Sequence, residues 1–236
     1  VIQPDATLTT VSPSGGADPT ISRVIENNGT MVFNQQNRFH FADGTLVNNG
    51  TFTCTSAFDT IIAEGLSGTN LLINNGTIAK NGSPALALTN AGAPVSLIND
   101  GVVNVQQGTL RLDCGSGGDG GFVVDAGATL HLNSNCSGGS ATVAGTLLLS
   151  PQKRLTLSGA YTQSFTGVLR ASIITPLAPV VACAGPANLD GRVELLMTPN
   201  PVMSTTVSIV DAGTSMLSGF FAKRRTGSLI TRVATD

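Results

Sequence analysis

The chain has 236 residues, enough for one sizeable domain or two small ones. Its 28 Gly, 11% charged residues, 4% aromatics and absent Trp argue for strands joined by short turns, while 41% apolar residues and a mean hydropathy of +0.24 exclude a disordered chain. A formal net charge of −2 excludes the basic field that collects phosphates, so no nucleic-acid partner is expected. No run of about 18 apolar residues is present, so no membrane insertion by this segment is expected. The opening Val1-Ile2-Gln3-Pro4-Asp5 lacks the texture of a signal peptide, and a start after processing or inside a longer protein is expected.

Residues 1–22 carry Pro4, Pro13, Pro19 and Gly15-Gly16 without sustained alternation, and read as an N-terminal cap or lead-in. From residue 23 a unit recurs in which Asn-Asn-Gly or Asn-Asp-Gly leads into a β-branched residue. Its copies are Asn27-Asn28-Gly29-Thr30, Asn48-Asn49-Gly50-Thr51, Asn74-Asn75-Gly76-Thr77 and Asn99-Asp100-Gly101-Val102, with looser ones around Gly127, Gly145, Gly167 and Gly191. Asn-Gly favours a tight turn and Thr-Ile or Thr-Phe an extended strand, so each copy is a corner entering a strand. The glycines step by about 18–26 residues, a solenoid period, and no helical pattern of ten residues interrupts them.

The expected fold is all-β, a right-handed parallel β-helix of roughly nine irregular coils over residues 23–198, with residues 199–236 forming a terminal coil and a C-terminal cap or tail. Alternation sends Ile78, Val103, Val105, Leu110, Leu112, Leu130, Leu132, Leu147, Leu149, Leu155 and Leu157 inward, and Arg111, His131 and Thr156 outward. Asn side chains at successive corners can donate and accept along the rod axis.

Four cysteines show no zinc spacing; Cys114 and Cys136 lie about one coil apart and are the candidate disulfide, whereas Cys54 and Cys183 read as buried free thiols or as partnered outside the chain. Asn28, Asn49, Asn75, Asn81 and Asn135 begin Asn-x-Ser/Thr sequons. Either these carry glycans in a secretory pathway, or the corner composition generates them and the amides stack.

Leu155-Thr156-Leu157-Ser158-Gly159-Ala160-Tyr161-Thr162-Gln163, then Gly167-Val168-Leu169, Leu189-Asp190-Gly191 and Val207-Ser208-Ile209-Val210 resemble the last coils of bacterial autotransporter passenger domains. The matching motif positions are Leu157, Gly159, Tyr161, Gln163, Gly167 and Leu169. The resemblance covers about a third of the chain and implies a right-handed β-helix in a secreted surface protein. Related solenoids occur in other secreted surface proteins. The chain departs from the passenger pattern in the prolines Pro176, Pro179 and Pro186 and in Cys183.

Catalytic signals are thin. Gly115-Ser116-Gly117-Gly118-Asp119-Gly120 spells a dinucleotide fingerprint, but strand-like Phe122-Val123-Val124 follows where a helix would be needed. Asp100, Asp113, Asp119 and Asp125, with Arg111 and His131 nearby, are the one dense acidic set; His40 stands far off in sequence. Scattered Thr-x-Thr pairs follow from β-propensity, and Lys223-Arg224-Arg225 with Arg232 reads as a solvated tail. The expectation is a non-enzymatic extracellular structural or adhesive segment without cofactor or metal. Its expected partners are neighbouring modules, copies of itself, or glycans. A carbohydrate-acting solenoid enzyme of the pectin-lyase kind, or a glycan-binding module, is the alternative, and would need three carboxylates converging in one groove.

Overall fold

The computed structural model describes residues 1–10, 18–34, 38–55, 60–88, 92–173, 180–197, 208–213, 217–219 and 223–226. Every regular element among them is a β-strand, and every strand pairing is parallel. The chain winds through three faces per turn. The first face stacks ten strands, from Thr7–Thr10 through Thr30–Phe33 and Thr51–Cys54 to Leu217–Gly219. The second runs from Thr20–Ile21 through Phe39–Ala42, Thr129–Leu132 and Thr146–Leu149 to Lys223–Thr226. The third is a separate nine-stranded sheet from Val24–Asn27 to Val210–Ala212. Two long strands, Thr77–Leu88 and Val102–Leu112, bend across the first and second faces and join them.

The fold is therefore a parallel β-solenoid. It makes about seven turns, beside the nine strands stacked on its third face and the roughly nine coils expected from the glycine markers. At the ends the core thins: Leu8, in register with the buried Met31, is itself exposed, and Val210 is only half-buried. Strands Thr7–Thr10 and Thr20–Ile21 already pair with the following coil, so solenoid structure begins inside the stretch read as a lead-in.

Parallel register explains the core. Because each strand lies on its equivalent one turn earlier, inward residues stack like on like: Met31, Phe52, Ile78, Val103 and Phe122 on the first face, and Leu110, Leu130, Leu147 and Leu169 on the second. All eleven positions expected to point inward are buried, and Arg111, His131 and Thr156 reach solvent. Burying a Leu or Ile contributes about 1.5–3 kcal/mol, so the interior column is the main source of stability.

One inward position breaks the pattern. Lys80 follows Ile78 by two residues and is buried in register with Cys54 and Val105; its ammonium donates to the carbonyls of Gly82 and Gln107. Buried ammonium groups need such partners, because desolvating an unpaired charge costs several kcal/mol.

Candidate functional site

The Asn corners sit between the third and first faces. Asn27, Asn48, Asn74 and Asn99 end successive third-face strands in one register and are fully buried. Asn27 Nδ2 donates to Asn48 Oδ1, Asn48 to Asn74 and Asn74 to Asn99, each over 2.7 Å. The second hydrogen of each amide goes to a carbonyl on the next coil, that of Thr51, Thr77 or Val102. The neighbouring Asn residues form an outer ladder of opposite sense: Asn49 donates to Asn28 and Asn75 to Asn49, both over 2.8 Å.

Three of the sequon residues thus lie in the outer ladder. Asn49 and Asn75 spend a side-chain amide hydrogen on the preceding coil, and Asn28 accepts from the coil above. Asn81 and Asn135 are exposed off the ladder, with Asn135 Oδ1 accepting from the Arg154 backbone N–H at 3.1 Å.

The acidic set separates onto three corners. Asp100 and Asp119 continue the Asn corner, the Asp119 N–H donating to Asp100 Oδ1 at 3.1 Å and Ser158 Oγ to Asp119 Oδ1 at 3.2 Å. Asp125 lies at the corner between the first and second faces, and Asp113 at that between the second and third. The Gly115–Gly120 loop contains the two-residue strand Ser116–Gly117 and leads into strand Gly121–Val124. His40 shares the second face with His131 but stands four rungs away, 3.4 Å from Asp18.

Around Asp113 a connected polar network crosses the outside of three rungs. Arg111 grips Asp113 with its Nε and one terminal nitrogen, at 2.7–3.0 Å. Asn133 Nδ2 donates to Asp113 Oδ1 at 3.0 Å, Ser150 Oγ lies 2.5 Å from Asn133 Oδ1, and His131 Nε2 lies 2.9 Å from Ser150 Oγ. The proton directions follow from the ends. An ionised Asp113 only accepts, so the Asn133 amide points at it and its oxygen faces Ser150. The Ser150 hydroxyl then donates to Asn133, and His131 Nε2 carries a proton and donates to Ser150. A nucleophilic serine needs the reverse, a histidine that accepts its proton. Burial, assisted by the Arg111 charge and opposed by Asp113, lowers the His131 pKa and favours the neutral ring. In this arrangement the network fixes the outer surface and presents polar edges.

A second cluster on the same face was not apparent in the sequence. Arg170 Nε and a terminal nitrogen reach Glu194 Oε2 at 2.7 and 2.6 Å. Arg192 Nε lies 2.8 Å from Oε1 but off its N–H direction, an ion pair without an in-line hydrogen bond. Only register connects them, because Arg170 and Glu194 lie side by side on adjacent coils.

The four cysteines are free and buried. Cys136 is in register with Ser116, which leaves Cys114 two residues out of line with it. Burial pushes the Cys54 and Cys114 thiols up to about 12 and raises those of Cys136 and Cys183, so the neutral, poorly nucleophilic form dominates at neutral pH. Among the described residues no three His, Cys, Asp or Glu side chains are grouped to hold a metal ion.

The passenger-like positions build a buried clamp. Tyr161 donates its hydroxyl to Gln163 Oε1 at 2.8 Å, and Gln163 Nε2 reaches the carbonyls of Gly167, Asp190 and Arg192 at 2.8–3.1 Å. Leu157 and Leu169 pack in the core beside them, and Gly159 and Gly167 occupy corners where a Cβ would strike backbone of the preceding coil. No protein-family model, curated protein or solved structure matches this chain.

Proposed function

We propose that the chain is a non-enzymatic structural or adhesive segment of an extracellular surface or filament protein, of the autotransporter-passenger kind. The observation that carries this reading is the use of polar groups along the axis. Buried amides that could have lined a cleft are spent joining coil to coil from Asn27 to Asn99, and the Gln163 clamp takes over the same task in later coils. A rod held by successive parallel strands and axial hydrogen bonds resists bending and presents long flat faces to neighbours.

The carbohydrate-cleaving alternative needs converging carboxylates, and Asp100, Asp113 and Asp125 stand on three different corners. The test has two arms. Pulled from its ends, the chain should unfold in steps of one coil, each releasing roughly 60–90 Å of extended chain. Incubated with polygalacturonate, galactan and xylan, it should release no reducing ends. Featureless extension overturns the rod; cleavage abolished by Asp113→Asn overturns the non-enzymatic reading.

A further inference from the structure

Two guanidinium groups share one carboxylate on the outer side of the second face, and this imbalance stands out in a chain of net charge −2. The Glu194 side chain is 12% exposed and both its oxygens are taken, whereas Arg170 and Arg192 are 40% and 39% exposed. Each guanidinium has five N–H donors in a planar fork. Arg170 turns one edge to Glu194 and Arg192 only its Nε, so both guanidinium groups have terminal donors beyond these contacts. The carboxylate therefore orients the Arg170 fork by hydrogen bonding, holds Arg192 by charge alone, and leaves one positive charge unneutralised. On the next rung the backbone register sets Lys223 beside Arg192 and Arg225 beside Glu194. Leu196, two residues past Glu194 on the same strand, is 55% exposed and offers an apolar contact.

We infer that this patch binds an acidic polysaccharide, with uronate carboxylates on the Arg170 and Arg192 forks and a sugar ring against Leu196. Forks matched to planar carboxylates select the anion, and a flat parallel sheet with rungs about 4.8 Å apart accommodates an extended chain of regularly spaced charges. The inference deepens the adhesive half of the function proposed above and rests on it; the rod half is independent.

The test is calorimetric titration of the whole chain with polygalacturonate at low salt, beside neutral galactan, polyglutamate and a single-stranded oligonucleotide. Polygalacturonate should bind, weaken as salt rises, and exceed each of the other three by about tenfold or more. Arg170→Gln/Arg192→Gln should lose about tenfold in affinity, and Arg170→Lys/Arg192→Lys, which retains both charges for Glu194, should lose several-fold with the fold intact. Should the Gln variant fail to fold, the Lys variant decides. Undiminished binding by a folded variant, binding no tighter than galactan, or equal binding of polyglutamate or the oligonucleotide each overturns the site. Failure here with stepwise coil unfolding preserved removes the ligand and leaves the rod; loss of the steps removes the rod itself.

Discussion

Asn48 passes its side-chain amide hydrogen to Asn74 inside the wall, while one residue further on Asn75 passes its own back to Asn49 outside it. Two amide ladders of opposite sense therefore run through one corner, the inner one sealed from water and the outer one exposed. Their energies differ accordingly. In the interior a lost partner is not replaced by solvent, whereas an exposed amide exchanges a neighbour for water at little cost.

Asn74→Ala should destabilise the chain by about 2–3 kcal/mol, because it strands the Asn48 donor and the Asn99 acceptor together and removes a bond to the Val102 carbonyl. Asn75→Ala should cost less than about 1 kcal/mol. Urea unfolding of the two variants measures the difference. Equal losses would show that the axial ladders contribute by shape alone.

Glycine at the corner is required by proximity. A Cβ on Gly76 would lie 2.1 Å from the Gly50 carbonyl oxygen, a backbone atom that cannot move without breaking the coil below. Gly76→Ala should therefore cost about 3 kcal/mol or more, in the range of other steric faults in a packed interior. Gly117, where a Cβ would meet nothing within 4 Å, supplies the control. Gly117→Ala should be neutral or up to about 1 kcal/mol stabilising by restricting the unfolded chain. Because Gly117 lies in the strand Ser116–Gly117 and not at a corner, thermal melts of both variants decide between close approach at Gly76 and a general intolerance of side chains at the glycines of the wall.

What could be read from sequence here was local. The corner is a contiguous Asn-Asn-Gly-Thr, and the inward set from Ile78 to Leu157 follows from period-two alternation, which parallel stacking merely repeats. Lys80 was within reach of the same rule, since it follows Ile78 by two. The Arg170–Glu194 pair and the His131–Ser150 contact were not, because each joins residues 24 or 19 positions apart and depends on how much chain each corner consumes. Corner length has no periodic signature, so lateral neighbours on the outer faces become visible only once register is known. The same ignorance of register made Asp100, Asp113 and Asp125 look like one cluster when they belong to three corners.

The Tyr161–Gln163 clamp should behave as a coupled unit. Tyr161→Phe leaves Gln163 Oε1 without its donor in a sealed interior and should cost about 1–3 kcal/mol. Gln163→Leu removes the donor to three carbonyls and should cost more. The double variant should be less destabilised than the sum by at least about 0.5 kcal/mol, because the second change no longer strands a partner. Strict additivity in a denaturation cycle would mean that the passenger-like residues act independently.

His131 supplies a pH dependence whose sign is fixed by its surroundings. Burial first, then the Arg111 charge, holds its pKa below the ordinary 6.5, with Asp113 opposing. Near pH 6.5 the unfolded chain therefore takes up a proton that the folded chain refuses, and stability falls as pH drops from that value toward the lowered pKa. Above the unfolded value the group contributes no slope, and below the folded value the loss is complete. His131→Gln retains a polar side chain beside Ser150 and abolishes the titration. The stability of the native chain minus that of His131→Gln should accordingly decrease as pH is lowered from about 7 toward 5, a window largely above ordinary carboxylate titration. Urea midpoints at several pH values provide the measurement. A difference that stays flat would mean that folded and unfolded chains bind this proton equally, and one that grows on acidification that the folded chain prefers the imidazolium; either result overturns the lowered pKa, whereas the donor role toward Ser150 is common to the imidazolium and to the neutral ring protonated at Nε2.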